Sequence, residues 1–173
     1  AVDVQWLIVP RHPQRFDEVA SLCEAEGFAV SRRSSWSDGP QAADIWLGDS
    51  LGEMALYFAL SDVALLGGSF APLGGQNLIE AAACACPVVM GPHTFNFAEA
   101  AVMAQAAGVA FEVVDMAQAV DRALALVQSA LALQAARDAA HSWGLVHRGA
   151  AERTAQAVRA LLENNPPLGR PKA

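Results

Sequence analysis

The stretch that decides the fold runs from residue 67 to residue 97 and reads GGSFAPLGGQNLIEAAACACPVVMGPHTFNF. It follows a short apolar run at residues 63–66, which is typical of a buried strand. Two glycine pairs lead into a small-residue helical pattern that stops before Pro87 and a second apolar run. Glycines after a strand let a ligand approach the backbone, and free N–H groups near a helix start attract anions. The pattern indicates a βαβ unit with an anion-binding loop.

The same alternation of strand and helix patterns continues on both sides of this stretch. Strands are expected at residues 4–9, 28–31, 44–47, 63–66, 87–90 and 109–114, and helices at 13–27, 51–60, 76–85, 97–107 and 116–164, the last broken near Gly144 and Gly149. This order predicts a doubly wound α/β domain, with a parallel sheet of about six strands and helices on both faces. We expect the domain to span residues 1–165, with a disordered tail at 166–173.

Polar residues follow four of the predicted strands. In open parallel sheets, ligands bind beyond the carboxyl ends of the strands, so these residues are expected to share one site. The candidates are Arg11 and His12 after the first strand, Asp49 after the third, Gly67, Gly68, Ser69, Gly75, Gln76, Asn77 and Glu80 after the fourth, and His93 after the fifth.

Each candidate also has a purely structural alternative. Glu80 lies three residues after Asn77 on one helix face and could accept hydrogen bonds from ribose hydroxyls, or it could be a first-turn acid favoured by the helix dipole. Asp49 could face a ligand, but residues 50–53 have the spacing of a helix capping box. Arg11 could bind a phosphate through two hydrogen bonds or lie free on the surface.

The charge distribution limits the ligands. The net charge is −7, which argues against a nucleic-acid binder. Between Ser34 and Asp121 there is no Lys or Arg, but there are ten Asp and Glu residues. A bound phosphate would therefore be neutralised by backbone amides, by Arg11, or by another domain or chain. No second ligand lies at useful spacing from His93, so no metal is expected.

The remaining composition favours a folded fragment of a longer protein. Hydrophobic residues make up 54% of the 173 residues, yet no apolar run approaches the roughly 18–20 residues of a membrane span. Cys23, Cys84 and Cys86 form no even set and are expected to be small buried residues in a reducing compartment. The chain does not begin with Met, which we interpret as the mark of a piece of something longer.

The ordered motifs resemble those of the 3-deoxy-D-manno-octulosonic acid (Kdo) transferases, which add Kdo to lipid A precursors in lipopolysaccharide biosynthesis. The likeness rests on residues 67–80 and 87–97, with IVPRHP at 8–13 and GDSLGE at 48–53, and covers about residues 5–113. Two departures are Gln76, where His is common, and Leu78-Ile79, where Pro-Leu is frequent.

This resemblance implies a glycosyltransferase-B fold, of which the chain is the C-terminal half that binds CMP-Kdo. Arg11, the loops at 67–69 and 75–77, and Glu80 would hold the nucleotide, without a cofactor. The catalytic residue and the site for the lipid A precursor would lie in an absent N-terminal domain, so the chain alone would be soluble and inactive. The full protein would associate with the cytoplasmic face of the bacterial inner membrane. Two alternatives remain: another nucleotide-sugar transferase or epimerase, and a non-catalytic nucleotide-binding module.

Overall fold

The computed structural model describes residues 4–147 and 150–164, in which strands and helices alternate as expected. The strands are β1 Trp6–Ile8, β2 Val30–Arg32, β3 Ile45–Leu47, β4 Ala64–Leu66, β5 Val88–Met90 and β6 Ala110–Glu112. The helices are α1 Phe16–Ala25, α2 Met54–Leu60, α3 Leu78–Ala83, α4 Ala98–Ala106, α5 Met116–Gln128, α6 Ala130–His147 and α7 Ala150–Asn164. The predicted α/β class is confirmed.

The six strands form two parallel sheets of three, in the orders β1-β3-β2 and β4-β5-β6. In the first sheet Ile8, Leu47 and Arg32 lie side by side at the carboxyl ends, and in the second Leu66 pairs with Met90 at that end. The expectation of one continuous six-stranded sheet is therefore wrong. Each strand has only three residues in its ladder, and helix packing joins the halves where strand pairing does not.

Helix α2 makes this connection between the sheets. It packs on α3, and its Phe58 lies in the hydrophobic core of the second sheet. On the first sheet, the ring of Tyr57 lies against Gly48, just after β3. The loops of both sheets are thus set relative to one another through this short helix.

The largest core cluster lies between β5, α3, α4 and α6. Val88 and Met90 of β5 are fully buried beside Ala81 and Ala82 of α3. Gly144 does not break α6, because it is a close-packing position: a Cβ there would lie 2.7 Å from the Ala82 carbonyl oxygen. The described helical region breaks instead at residue 129, between α5 and α6. The expected break at Gly149 and the tail at 166–173 lie outside the described residues.

Two helix starts differ from the sequence prediction. α2 begins at Met54, not at residue 51, and its N-cap residue Glu53 makes no side-chain capping bond. The Ser50 hydroxyl donates to the side chain of Glu53, and no side chain accepts from a backbone amide at the start of α2, so the predicted capping box is wrong. α3 begins at Leu78 and has only six residues.

The cysteines are packing residues in this fold. All three are free, Cys23 and Cys86 are buried and Cys84 is half-buried. Burial raises the pKa of the Cys86 thiol to about 12, so it stays protonated at neutral pH.

Candidate functional site

Three loop segments meet at the carboxyl ends of β4 and β5. Residues 67–69 and 74–77 follow β4, and residues 91–97 follow β5. The Gly75 amide donates to the Gly68 carbonyl at 3.1 Å, the His93 amide to the Ser69 carbonyl at 3.0 Å, and the Asn96 amide to the Gly74 carbonyl at 3.1 Å. We call this joined surface the glycine-loop surface. The structure thus brings together the candidates that the sequence placed after the fourth and fifth strands.

Ser69 links the loops after β4 and β5 from the interior of the protein. Its side chain is fully buried, and its hydroxyl donates to the Leu66 carbonyl at 2.5 Å and accepts from the Gly91 amide at 2.7 Å. The hydroxyl is therefore used inside the protein and does not face a ligand. Gly91 is required there, because a Cβ would lie 2.5 Å from the Ser69 carbonyl oxygen.

The glycines of the two pairs have different roles. Gly74 and Gly75 have φ values of +87° and +83°, and a Cβ on Gly74 would overlap the side-chain amide of Asn96. This pair is explained by the close approach of the two loops. Gly67 is exposed and has open space around the position of a Cβ. Its face of the loop is the part where a ligand can come close to the backbone.

Glu80 is the carboxylate that is accessible to a ligand next to these loops. It is exposed in the first turn of α3. Asn77 is the N-cap of the same helix, and its side-chain oxygen accepts from the Ile79 amide at 3.1 Å. Sequence reasoning missed this capping role, although Asn directly before an apolar helix is a standard N-cap signal. Gln76 is half-buried, with its amide nitrogen 3.2 Å from the position of a Cβ on Gly68.

Arg11 and His12 are exposed in the loop after β1, on the first sheet. Three other arginines precede residue 122, and each forms an ion pair: Arg15 with Glu18 at 3.0 Å, Arg32 with Asp17 and Asp49 at 2.7 Å each, and Arg33 with Glu53 at 2.7 Å. Within residues 4–147 and 150–164, Arg11 is paired with no carboxylate. It is therefore the cation left for an anion at this end of the first sheet.

Asp49 is turned into the protein, contrary to the expectation that it could face a ligand. Its side chain is 1% exposed and accepts from the Ser34 amide at 2.8 Å, the Ser34 hydroxyl at 2.6 Å and the Arg32 Nε at 2.7 Å. Burial alone would raise the pKa of this carboxyl, but the bonds from Ser34 and Arg32 outweigh it and hold the pKa below its usual value. Asp49 ties the loop after β2 to the loop after β3.

A second polar cluster at this edge was not predicted. Glu53 accepts from Arg33 through one oxygen and from the Ser50 hydroxyl through the other, and the Ser50 hydroxyl also hydrogen-bonds the Tyr57 hydroxyl. The bond from Ser50, together with Arg33, holds the pKa of Glu53 below its usual value against the opposing effect of partial burial. Two sequence signals bear on this cluster: the spacing of Ser50 and Glu53, which was interpreted as a capping box, and the position of Tyr57 four residues after Glu53.

Gly67 of the glycine-loop surface and Glu80 in α3 are exposed to solvent. Two depressions, of about 450 Å³ and 320 Å³, lie elsewhere: one beside Trp6 and Phe28, the other between the loop after β2 and Leu56 of α2. The described residues contain no group of three or more His, Cys, Asp or Glu side chains placed to hold a metal ion. Nor does any described helix combine the length and apolar character that crossing a membrane requires.

Comparison with known proteins finds close relatives of the chain. It is 52% identical over 157 residues to a 3-deoxy-D-manno-octulosonic acid transferase of Bordetella pertussis, covering 90% of this chain and 37% of that protein. It is 38% identical over 160 residues to the Haemophilus influenzae 3-deoxy-D-manno-octulosonic acid transferase, covering 92% of this chain and 38% of that protein. The chain thus spans under two fifths of the length of these relatives. None of the protein-family models compared with it matches.

A solved structure gives the same result at the level of the fold. The chain superposes on the crystal structure of the C-terminal CMP-Kdo binding domain of WaaA from Acinetobacter baumannii with a TM-score of 0.74. The two are 34% identical, and the match covers 82% of this chain and 73% of that one. Both the sequence and the architecture therefore assign the chain to the 3-deoxy-D-manno-octulosonic acid transferase family, as a counterpart of its C-terminal domain.

Proposed function

We propose that this chain binds the CMP part of CMP-Kdo as the donor-binding half of a Kdo transferase. The observation that carries the proposal is the glycine-loop surface, where three hydrogen-bonded loops leave Gly67 exposed with open space around it, and the exposed carboxylate of Glu80 follows on the same chain segment. The Acinetobacter baumannii neighbour is described as a CMP-Kdo binding domain, which supports this choice of ligand.

The residues divide between contact and support in this proposal. The amides of Gly67 and Gly68 donate to the phosphate, and Arg11 supplies the positive charge. Glu80 accepts from the ribose hydroxyls. The further candidate contacts are His12, Gln76 and His93, while the buried Gly75 supports the loops through its bond to Gly68. Ser69 and Asn77 act by holding the loops and the start of α3, and Asp49 has no contact with the ligand.

The chemistry of Kdo transfer explains why amides suit this site. The bond between Kdo and the CMP phosphate breaks, and the electron pair goes to the leaving phosphate. Preorganised N–H donors and a guanidinium aimed at that phosphate stabilise the developing charge without a metal. Because α3 has only six residues, we assign this role to the loop amides and not to a helix dipole.

The rest of the reaction is assigned to the part of the protein beyond this chain. We propose that the remaining length of the full protein holds the catalytic residue and binds a lipid A precursor as acceptor. The complete enzyme would act in lipopolysaccharide biosynthesis at the cytoplasmic face of the bacterial inner membrane. Alone, the donor-binding half would bind nucleotide without turnover.

A nucleotide titration followed by ¹⁵N NMR tests the proposal. CMP should shift the amides of Gly67, Gly68 and Gly75, and should bind more tightly than UMP or UDP. A preference for UDP would favour another nucleotide-sugar enzyme. Shifts confined to other parts of the chain would remove the site assignment.

A carboxylate substitution tests the role of Glu80. Glu80→Ala should weaken CMP binding by about 1–3 kcal/mol, because ribose hydroxyls lose a charged acceptor. Glu99→Ala is the matched control, since Glu99 is an exposed acid in the first turn of α4. Equal affinities for the two variants in isothermal titration calorimetry would make Glu80 a helix-end acid only.

A further inference from the structure

The side chain of Tyr57 lies where the loops after all three strands of the first sheet meet. Its ring is 2% exposed and lies beside Gly48, where an added Cβ would be 2.9 Å from the ring Cζ. The same Cβ would be 2.9 Å from Cγ2 of Val9, in the loop after β1. Gly48 therefore lets the ring, the loop after β3 and the loop after β1 pack at one point.

The hydroxyl of Tyr57 fixes the ring in this position. It hydrogen-bonds the Ser50 hydroxyl, which donates to Glu53, and Glu53 accepts from Arg33 at 2.7 Å. Arg33 follows β2 directly. A buried hydroxyl without a partner would be costly, so this chain of bonds stabilises one ring position. Tyr57 is thus tied to the loop after β2 as well.

The position of the Tyr57 ring affects the position of Arg11 through the backbone of residues 9–11. Arg11 lies two residues after Val9, and Pro10 between them limits the backbone dihedral φ. On the other side, the Gly48 amide donates to the Ile8 carbonyl at 2.8 Å. Because the guanidinium of Arg11 has no carboxylate partner in the described chain, the course of residues 8–11 determines where it points.

We infer that Tyr57 is a positioning residue for donor binding, which sets the backbone of residues 9–11 so that Arg11 meets the donor phosphate. The inference rests on the proposed function for the role of Arg11, while the packing of Tyr57 and Val9 around Gly48 stands apart from it. Tyr57 itself touches no ligand. Its effect on affinity passes through Arg11.

The test is a double-mutant cycle with CMP as the probe. Tyr57→Leu should shift the Val9 and Arg11 amides in the absence of nucleotide and raise the Kd for CMP about tenfold, which corresponds to about 1.4 kcal/mol. Tyr57→Phe keeps the ring and should change the Kd by less than about threefold. In an Arg11→Gln background, Tyr57→Leu should change the Kd by less than about twofold, because the two residues act as one unit.

The matched control is Phe58→Leu, a buried neighbour on α2 that packs in the core of the other sheet. It should lower stability without moving the Val9 and Arg11 amides or the Kd. Unchanged amides in Tyr57→Leu, an unchanged Kd in Arg11→Gln, or additive losses in the double variant would each overturn the inference. If the parent chain does not bind CMP, the proposed function fails, and the amide shifts still decide whether Tyr57 controls this loop.

Discussion

Gly91→Ala tests whether the close packing of Gly91 against Ser69 holds the loops of the glycine-loop surface together. An added Cβ would lie 2.5 Å from the Ser69 carbonyl oxygen, 2.7 Å from Phe70 Cδ1 and 2.9 Å from the Ser69 carbonyl carbon. Two of these atoms belong to the backbone, so no flexible side chain can move away. The loops after β4 and β5 must separate.

The magnitude follows from three contributions. Overpacking a tight site costs about 1–3 kcal/mol. Separation also breaks the 2.7 Å bond from the Gly91 amide to the Ser69 hydroxyl, and leaving such buried groups without partners costs about 1–3 kcal/mol. Alanine restricts the unfolded chain and offsets about 0.4–1 kcal/mol. We expect a net loss of about 1–5 kcal/mol in the free energy of unfolding.

Urea denaturation followed by tryptophan fluorescence measures this loss, with Gly67→Ala as the matched control. Gly67 has open space around its Cβ position and no positive φ, so its alanine variant should be stabilised by about 0.4–1 kcal/mol. The midpoints should differ while the slopes stay equal. A difference between the two variants below about 1 kcal/mol would refute the argument that these loops are packed in contact.

Two further predictions concern the supports of the site. Asp49→Asn should lower the free energy of unfolding at pH 7 by about 1–3 kcal/mol, since it removes the charge that faces the partly exposed Arg32. Because the pKa of Asp49 is lowered in the fold, this stability is present above the ordinary Asp pKa of about 3.9 and is lost as pH falls below it. The gap between Asp49→Asn and the parent chain should therefore shrink in urea melts from pH 7 to pH 3, and a constant gap would contradict the ion pair. Gly144→Ala should lower the free energy of unfolding by about 1–2 kcal/mol despite the better helix propensity of alanine, because its Cβ would lie 2.7 Å from the Ala82 carbonyl oxygen. The control is Ser142→Ala at an exposed position of α6, which should be neutral or slightly stabilising. Thermal melts of the two variants measure the difference.

The sequence predicted the order of elements well because their signals are local. Each of the six expected strands overlaps an observed one, and α1 and α4 are followed by Gly27 and Gly108, which have positive φ. Boundaries were less accurate where side chains compete for partners. The sequence predicted that α2 starts at residue 51, but it starts at Met54. Ser50 does not cap the helix there, because its hydroxyl bonds the side chain of Glu53.

By itself, the sequence determined the α/β class, the family and the placement of polar residues after the strands, since alternation, glycine pairs and motif order are properties of the chain itself. Only the tertiary structure decided which polar residues remain free for a ligand. Asp49 and Ser69 carry the same donor and acceptor atoms as any other Asp or Ser, and the sequence alone does not tell whether a ligand can reach them. In the fold both are buried and hydrogen-bond to other residues of the protein. Arg11 and Glu80 are left exposed. The physical reason is that a hydrogen bond between residues distant in sequence depends on packing, and packing is set by the whole fold.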